Sequence, residues 1–174
     1  MEALARLDDA GLRVVHRALP EPFRALDAAH RTLMSAAVAR SLGVVAAAHG
    51  DRLSPDLLAF IQRGHRETEP ALARAAGVVA RAHEACAKAT ADGGLLLWPA
   101  ATGEAPLGIA STGNSILNRP WSLLGYGVST VPCGRGPAGL PLGLQIIDPR
   151  PGAPDLFPAA ALIEQSLRER KTSL

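Results

Sequence analysis

The 174-residue chain sets 18 Lys and Arg against 16 Asp and Glu, a formal charge of +2, and 48% of its residues are apolar. So even a balance, with no dense basic run, argues against the electrostatic footprint of a nucleic-acid binder. The length suits one domain able to bury about two-thirds of its unfolded surface, and Cys86 and Cys133, far from any partner at zinc-motif spacing, read as reduced, buried thiols.

The N-terminal stretch MEALARLDDAG places Glu2, Arg6, Asp8 and Asp9 where an export signal needs unbroken apolar residues. The most apolar runs, 42–48 and 93–101, fall short of the roughly 20 residues that cross a bilayer. The expectation is a soluble, cytoplasmic protein with neither a membrane nor a nucleic-acid partner.

In chain order, Ala3 to Asp9 predicts a short helix ending at Gly11, and Leu12 to Leu19 (LRVVHRAL), with its β-branched pair, predicts a strand closed by Pro20 and Pro22. From Phe23 to about Ala48, Leu26, Leu33, Ala37, Val38, Leu42 and Val45 recur at three- and four-residue intervals, which predicts a long helix weakened at Gly43. Ser54 as N-cap and Pro55 behind it start the next helix, which should run to Gly64. After Thr68 a third helix should bury Leu72, Ala76, Val79, His83 and Cys86 and stop at Asp92-Gly93-Gly94.

Leu95 to Trp98 is a wholly apolar run, the pattern of a strand covered on both faces. Asn118 to Gly125 (NRPWSLLG) holds one helical turn. GVSTVPC and LPLGLQII then read as two strands joined by a short loop. That loop contains Gly134, Gly136 and Gly139 at the spacing G-x-G-x-x-G. A dinucleotide loop must open a helix, whereas Pro137 interrupts this one and a strand follows, so the glycines read as hairpin-turn residues. Asp155 should cap a last helix running to about Arg170. The order of elements points to an α/β fold with a mixed sheet flanked by helices.

The block from Ser111 to Asp148, STGNSILNRPWSLLGYGVSTVPCGRGPAGLPLGLQIID, resembles the C-terminal part of the amidase signature family. There a T-G-D block, an N-R-P-W-like turn, a small-residue strand ending in P-x-G and a G-L-P-x-G-x-Q segment follow one another in the same order. LSPDLLAFIQRGHRET and GLLLWPAATGEAP resemble the family upstream of that block. The resemblance implies that 1–174 is a single partial domain, the C-terminal segment of a mixed-sheet amidase-signature fold. It implies an amidohydrolase that converts a carboxylic amide to acid and ammonia through an acyl-serine, without metal or organic cofactor.

The family's Ser nucleophile, second Ser and Lys base have no counterpart here, so no catalytic residue is assigned and the chain alone is expected to be inactive. No Ser-Ser pair occurs, and of the two lysines Lys88 reads as a solvated ion-pair residue beside Glu84 and Lys171 falls in the tail. Ser111, Ser115, Ser122 and Ser129 crowd the family block without a neighbouring base, and the five histidines form no metal-ligand pair. What the resemblance does offer is a set of substrate-pocket positions: Trp98 and Ala100, where the family usually has T-P-T, Asn114 in place of the Asp of T-G-D, and Asn118 of N-R-P-W. Each also has a structural reading, with Trp98 covering the core, Asn114 making a turn and Asn118 capping the helical turn after it. The partners implied are a small amide in the intact enzyme and either self-association or pairing with a catalytic N-terminal half. The alternative is a non-catalytic interaction module or a split-gene subunit that complements a separate catalytic half.

Overall fold

Hydrogen bonding builds one three-stranded sheet, β1 (Leu96–Pro99), β2 (Gly127–Arg135) and β3 (Pro141–Asp148), in the order β1-β3-β2 with every pairing antiparallel. The computed structural model describes residues 2–18 and 20–168 and forms two compact units. One takes 2–18 and 86–168; the other is Pro20–Ala85. Together they carry the α/β class expected from the sequence.

In the first unit β3 is central, and its residues Leu144 to Asp148 are all buried. Alternation along the strand sends Leu144 and Ile146 to one face, where they meet Val131 of β2 and the helices α1 (Glu2–Asp9) and α6 (Leu156–Arg168). Leu7 of α1 and Leu156, Ala160, Ile163 and Leu167 of α6 close this core, the last four repeating at helical spacing. Gly127 gives room to the turn that leads into α6, since a Cβ there would lie 2.4 Å from that of Ala153 and 3.2 Å from Leu156 Cδ2.

Asp148, fully buried at the end of β3, anchors the approach to α6. It accepts from Arg150 Nε and Nη2 at 2.8 Å each and from the backbone N–H groups of Arg150 and Asp155. Arg150 also reaches the Asp155 carboxylate at 2.8 Å. The Arg150 guanidinium holds the Asp148 carboxyl below its ordinary range, against the opposing effect of burial. Asp155 therefore spends its side chain on an ion pair; its carbonyl accepts the first helical bond of α6, from Ala159 at 3.0 Å. The expected end of α6 near Arg170 lies outside the described residues.

Two strand expectations need correction. Residues 12–18 form no strand: Leu12 and Val14 lean on the core while Val15 is 50% exposed, and among the described residues they pair with none of the strands. Leu19 lies outside the described residues. β1 is half-buried rather than fully covered: Leu97 leans on the core and Trp98 meets Trp121 on the other face, while its outer edge has no neighbour in the described sheet.

In the second unit α2 (Glu21–His49) and α3 (Pro55–His65) run antiparallel, joined by a 3₁₀ turn, Gly50–Arg52. Pro20 and Pro22 open α2 rather than close a strand, a role proline fills without losing a hydrogen bond. Ser54 caps α3 as expected, its Oγ accepting from Leu57 N–H at 3.3 Å. Gly64 of α3 meets α2 backbone to backbone: a Cβ there would fall 2.0 Å from the Ser35 carbonyl oxygen and 2.7 Å from Ala39 Cβ. Gly43 does not break α2, and its bare backbone receives the His65 imidazole.

Joined with the 3₁₀ turn, α2 spans Glu21–Arg52 and is long and apolar enough, by length and composition, to cross a membrane. Of the two runs counted in the sequence only 42–48 lies in this helix, and the apolar residues spread along the rest of it supply the remaining length.

Helix α4 (Glu69–Ala89) passes through the boundary between the two units. Its inward stripe is Leu72, Ala75, Val79, Ala82 and Cys86, whereas Ala76 and His83 are exposed. The expected stripe was rotated by one residue at two positions, because several alanines leave the phase of the helix weakly marked. Burial raises the thiol pKa of Cys86, and a hydrogen bond with Tyr126 partly offsets it. Cys133 is half-buried and likewise raised by burial. Thiols in that condition are poor nucleophiles.

Candidate functional site

The second face of the sheet differs in chemistry from the core face. Register pairs Trp98 of β1 with Gln145 of β3, and Gln145 with Thr130 of β2, so the three share one row on the side opposite Ile146. Helix α5 (Arg119–Leu124) meets this face through Trp121, whose ring lies edge-on to that of Trp98 with centroids 5.6 Å apart.

Immediately past β1, Ala100 donates its N–H to the Gly143 carbonyl at 3.0 Å. Gly143 makes that approach feasible, since a Cβ there would stand 2.9 Å from Ala100 Cβ and 2.8 Å from Thr130 Cγ2. The Ala100 carbonyl then accepts from Asn118 Nδ2 at 3.2 Å and from Gln145 Nε2 at 3.4 Å. Gln145 Nε2 also donates to Asn118 Oδ1, closing a triangle of two amide side chains and one backbone carbonyl.

This triangle is half surface and half interior. Asn118 is exposed and Ala100 half-buried, while Gln145 beneath them is 1% exposed. Gln145 Oε1 and Trp98 Nε1 are buried without a hydrogen-bond partner among the described residues. An acceptor and a donor left over on adjacent strands are costly in a finished interior, which marks this as the chemically unfinished part of the unit.

Of the four pocket positions expected from sequence, three converge: Trp98, Ala100 and Asn118. Asn114 does not join them. It is exposed, and its Oδ1 accepts from Ile116 N–H at 3.0 Å, capping a 3₁₀ turn, Ser115–Leu117. Asn118 does not use its side chain as a helix cap, contrary to its structural reading, because the amide is committed to Ala100 and Gln145. Gln145 and Trp121 were missed as site residues; a lone amide within the apolar run LGLQII was the available signal.

The serines of the block serve local structure where their bonds are described. Ser111 Oγ accepts from Gly113 N–H at 3.1 Å and Ser115 Oγ from Arg119 Nε at 3.2 Å. Lys88 is exposed on α4, and Lys171 lies outside the described residues. Among the described residues no group of three or more His, Cys, Asp or Glu is placed to hold a metal ion.

No family model matches the chain, and no curated protein matches it in sequence. Solved structures do match it in fold. A 6-aminohexanoate cyclic dimer hydrolase complexed with substrate aligns with a TM-score of 0.71 at 22% identity over 96% of this chain, and an amidase with 0.70 at 23% over 95%. A further structure of 6-aminohexanoate cyclic dimer hydrolase aligns with 0.64 at 20%. This chain has the fold of part of an amidase-type hydrolase. It spans 40% of the first of those chains and 39% of the second.

Proposed function

We propose that this chain is the C-terminal part of an amidase-signature-type amidohydrolase, which contributes the substrate-facing wall of the site and depends on the catalytic N-terminal half for nucleophile and base. The observation that carries this reading is the asymmetry of coverage, 96% of this chain against 40% of the hydrolase it resembles. The wall would be Trp98, Ala100 and Asn118, held from beneath by the buried Gln145, a surface of one indole and one carboxamide suited to an uncharged amide. The reaction is hydrolysis of a carboxylic amide through an acyl-serine formed on the other half.

Bare edges and apolar surface support pairing. β1 and β2 each have one free edge within the described sheet, and Phe157 and Leu162 of α6 are 76% and 51% exposed. Such features suit a covering partner. The partner would be the catalytic half, with self-association as the substitute when it is absent.

The test mixes the full chain with the N-terminal half of a related amidase. The chain alone should hydrolyse no linear amide and take no label from a serine-directed phosphonate, should bind a hydrophobic dye and should sediment as an associated species. The mixture should hydrolyse amides and lose the dye signal. Stoichiometric labelling of the chain alone, or a compact monomer that ignores both dye and partner, would overturn the reading.

A further inference from the structure

The glycine-rich turn between β2 and β3 does hold an anion, and the anion is part of the chain. Glu104 Oε2 accepts from the backbone N–H of Ala138 at 3.0 Å, and Oε1 accepts from that of Leu140 at 2.7 Å. The turn is built to present these two donors. Gly139, at φ +82°, gives its own N–H to the Gly136 carbonyl, and Gly136 gives its N–H to the Leu140 carbonyl, both at 2.9 Å. Arg135 braces the turn by donating to the Gly139 carbonyl at 2.6 Å. Gly136 leaves the space the ligand needs, because a Cβ there would fall 2.4 Å from Glu104 Cγ and Cδ.

Glu104 belongs to a stretch with little else to hold it. From 101 to 113 every residue is exposed except Glu104, which is half-buried, and Leu107 and Ile109 stand fully in solvent. Among the described residues, the hydrogen bonds that tie this stretch to another segment are the two made by Glu104.

We propose that the turn Gly136–Leu140 is a carboxylate-binding site filled in cis by Glu104, so that one displaceable carboxylate latches the 101–113 segment to the sheet. Two N–H donors engaged by the two oxygens of one planar group select a carboxylate, and charge-assisted bonds of this kind are among the stronger hydrogen bonds. The inference stands whether or not the chain pairs with a catalytic half.

Amide hydrogen exchange in the full chain, read residue by residue, tests it with two variants. In Glu104→Ala the amides of Ala138 and Leu140 should exchange about 10-fold faster or more, the scale of a hydrogen bond to a charged group. The remainder of β2 and β3 should be unchanged, and proteolysis within 101–113 should accelerate. Excess acetate should restore protection at those two amides, and chloride at equal ionic strength should not. In Gly136→Ala the carboxylate remains but is evicted, so the same two amides should lose protection and acetate should fail to restore it. Unchanged exchange in Glu104→Ala overturns the latch. Loss that acetate does not reverse, or that chloride reverses equally, overturns the binding site.

Discussion

The two units close themselves by opposite means. The sheet unit fills space: Ile146, Leu144, Val131 and four residues of α6 interlock between strands and helices. The unit of α2 and α3 removes bulk instead, with Gly64 set against the Ser35 carbonyl and Ala36 and Ala39 buried nearby. One core is limited by missing volume and the other by added volume. Opposite substitutions should therefore be the damaging ones.

Ile146→Ala removes a side chain that is 0% exposed and should destabilise the sheet unit by about 4 kcal/mol. Gly64→Ala adds a single methyl where a backbone oxygen already stands, forcing α2 and α3 apart, and should cost about 3 kcal/mol even after the gain in helix propensity. Both tryptophans, Trp98 and Trp121, lie in the sheet unit, so indole fluorescence follows that unit while far-ultraviolet circular dichroism follows the helices of both. Ile146→Ala should shift the fluorescence transition, and Gly64→Ala chiefly the dichroism. Coincident shifts in both variants would show that the units unfold as one cooperative body and would remove the comparison.

The same contrast explains which parts were legible in the sequence. The run LPLGLQII announced β3, Asp155 announced the start of α6 and Ser54-Pro55 that of α3, because caps and apolar runs are local signals. The α2–α3 crossing was silent: Gly64 reads only as a helix terminator until Ser35 is seen against it. Residues 12–18 have strand composition, yet a strand requires a neighbour, which composition cannot supply. The site divided likewise. Asn118 stood in the recognisable block and Trp98 in the stretch upstream that also resembles the family, whereas the roles of Gln145 and Glu104 come from contacts 27 to 45 and 34 to 36 residues away in sequence.

Acid should sharpen the comparison, because the sheet unit contains the buried carboxylate Asp148 and its partner Arg150. The folded state depresses the Asp148 pKa, so its contribution is fully present above the unfolded value of about 3.9 and is lost as pH falls through the folded one. The fluorescence-detected stability should therefore decline below about pH 4. In Asp148→Asn that part of the acid dependence should flatten, and stability at neutral pH should fall because Arg150 loses its buried counter-charge. An acid profile unchanged by the substitution would assign the decline to other carboxylates.

The smallest effect on stability is expected on the second face of the sheet, at Gln145. Its amide donates to Ala100 and Asn118, but its Oε1 is buried with no partner among the described residues, so the side chain brings a desolvation cost together with its hydrogen bonds. Methionine keeps much of the volume and removes both. The Ala100 carbonyl retains Asn118 Nδ2, and the exposed Asn118 can turn its oxygen to water. Gln145→Met should accordingly alter the stability of the isolated chain by no more than about 1 kcal/mol, in contrast to Ile146→Ala on the adjacent residue. If the Trp98–Asn118 face is the substrate wall proposed above, the same variant should reduce amide hydrolysis by the complemented assembly while leaving assembly intact. A loss of several kcal/mol in the free chain, with hydrolysis per assembled complex unchanged, would make Gln145 a core residue like its neighbour, and the two faces of the sheet would no longer differ in purpose.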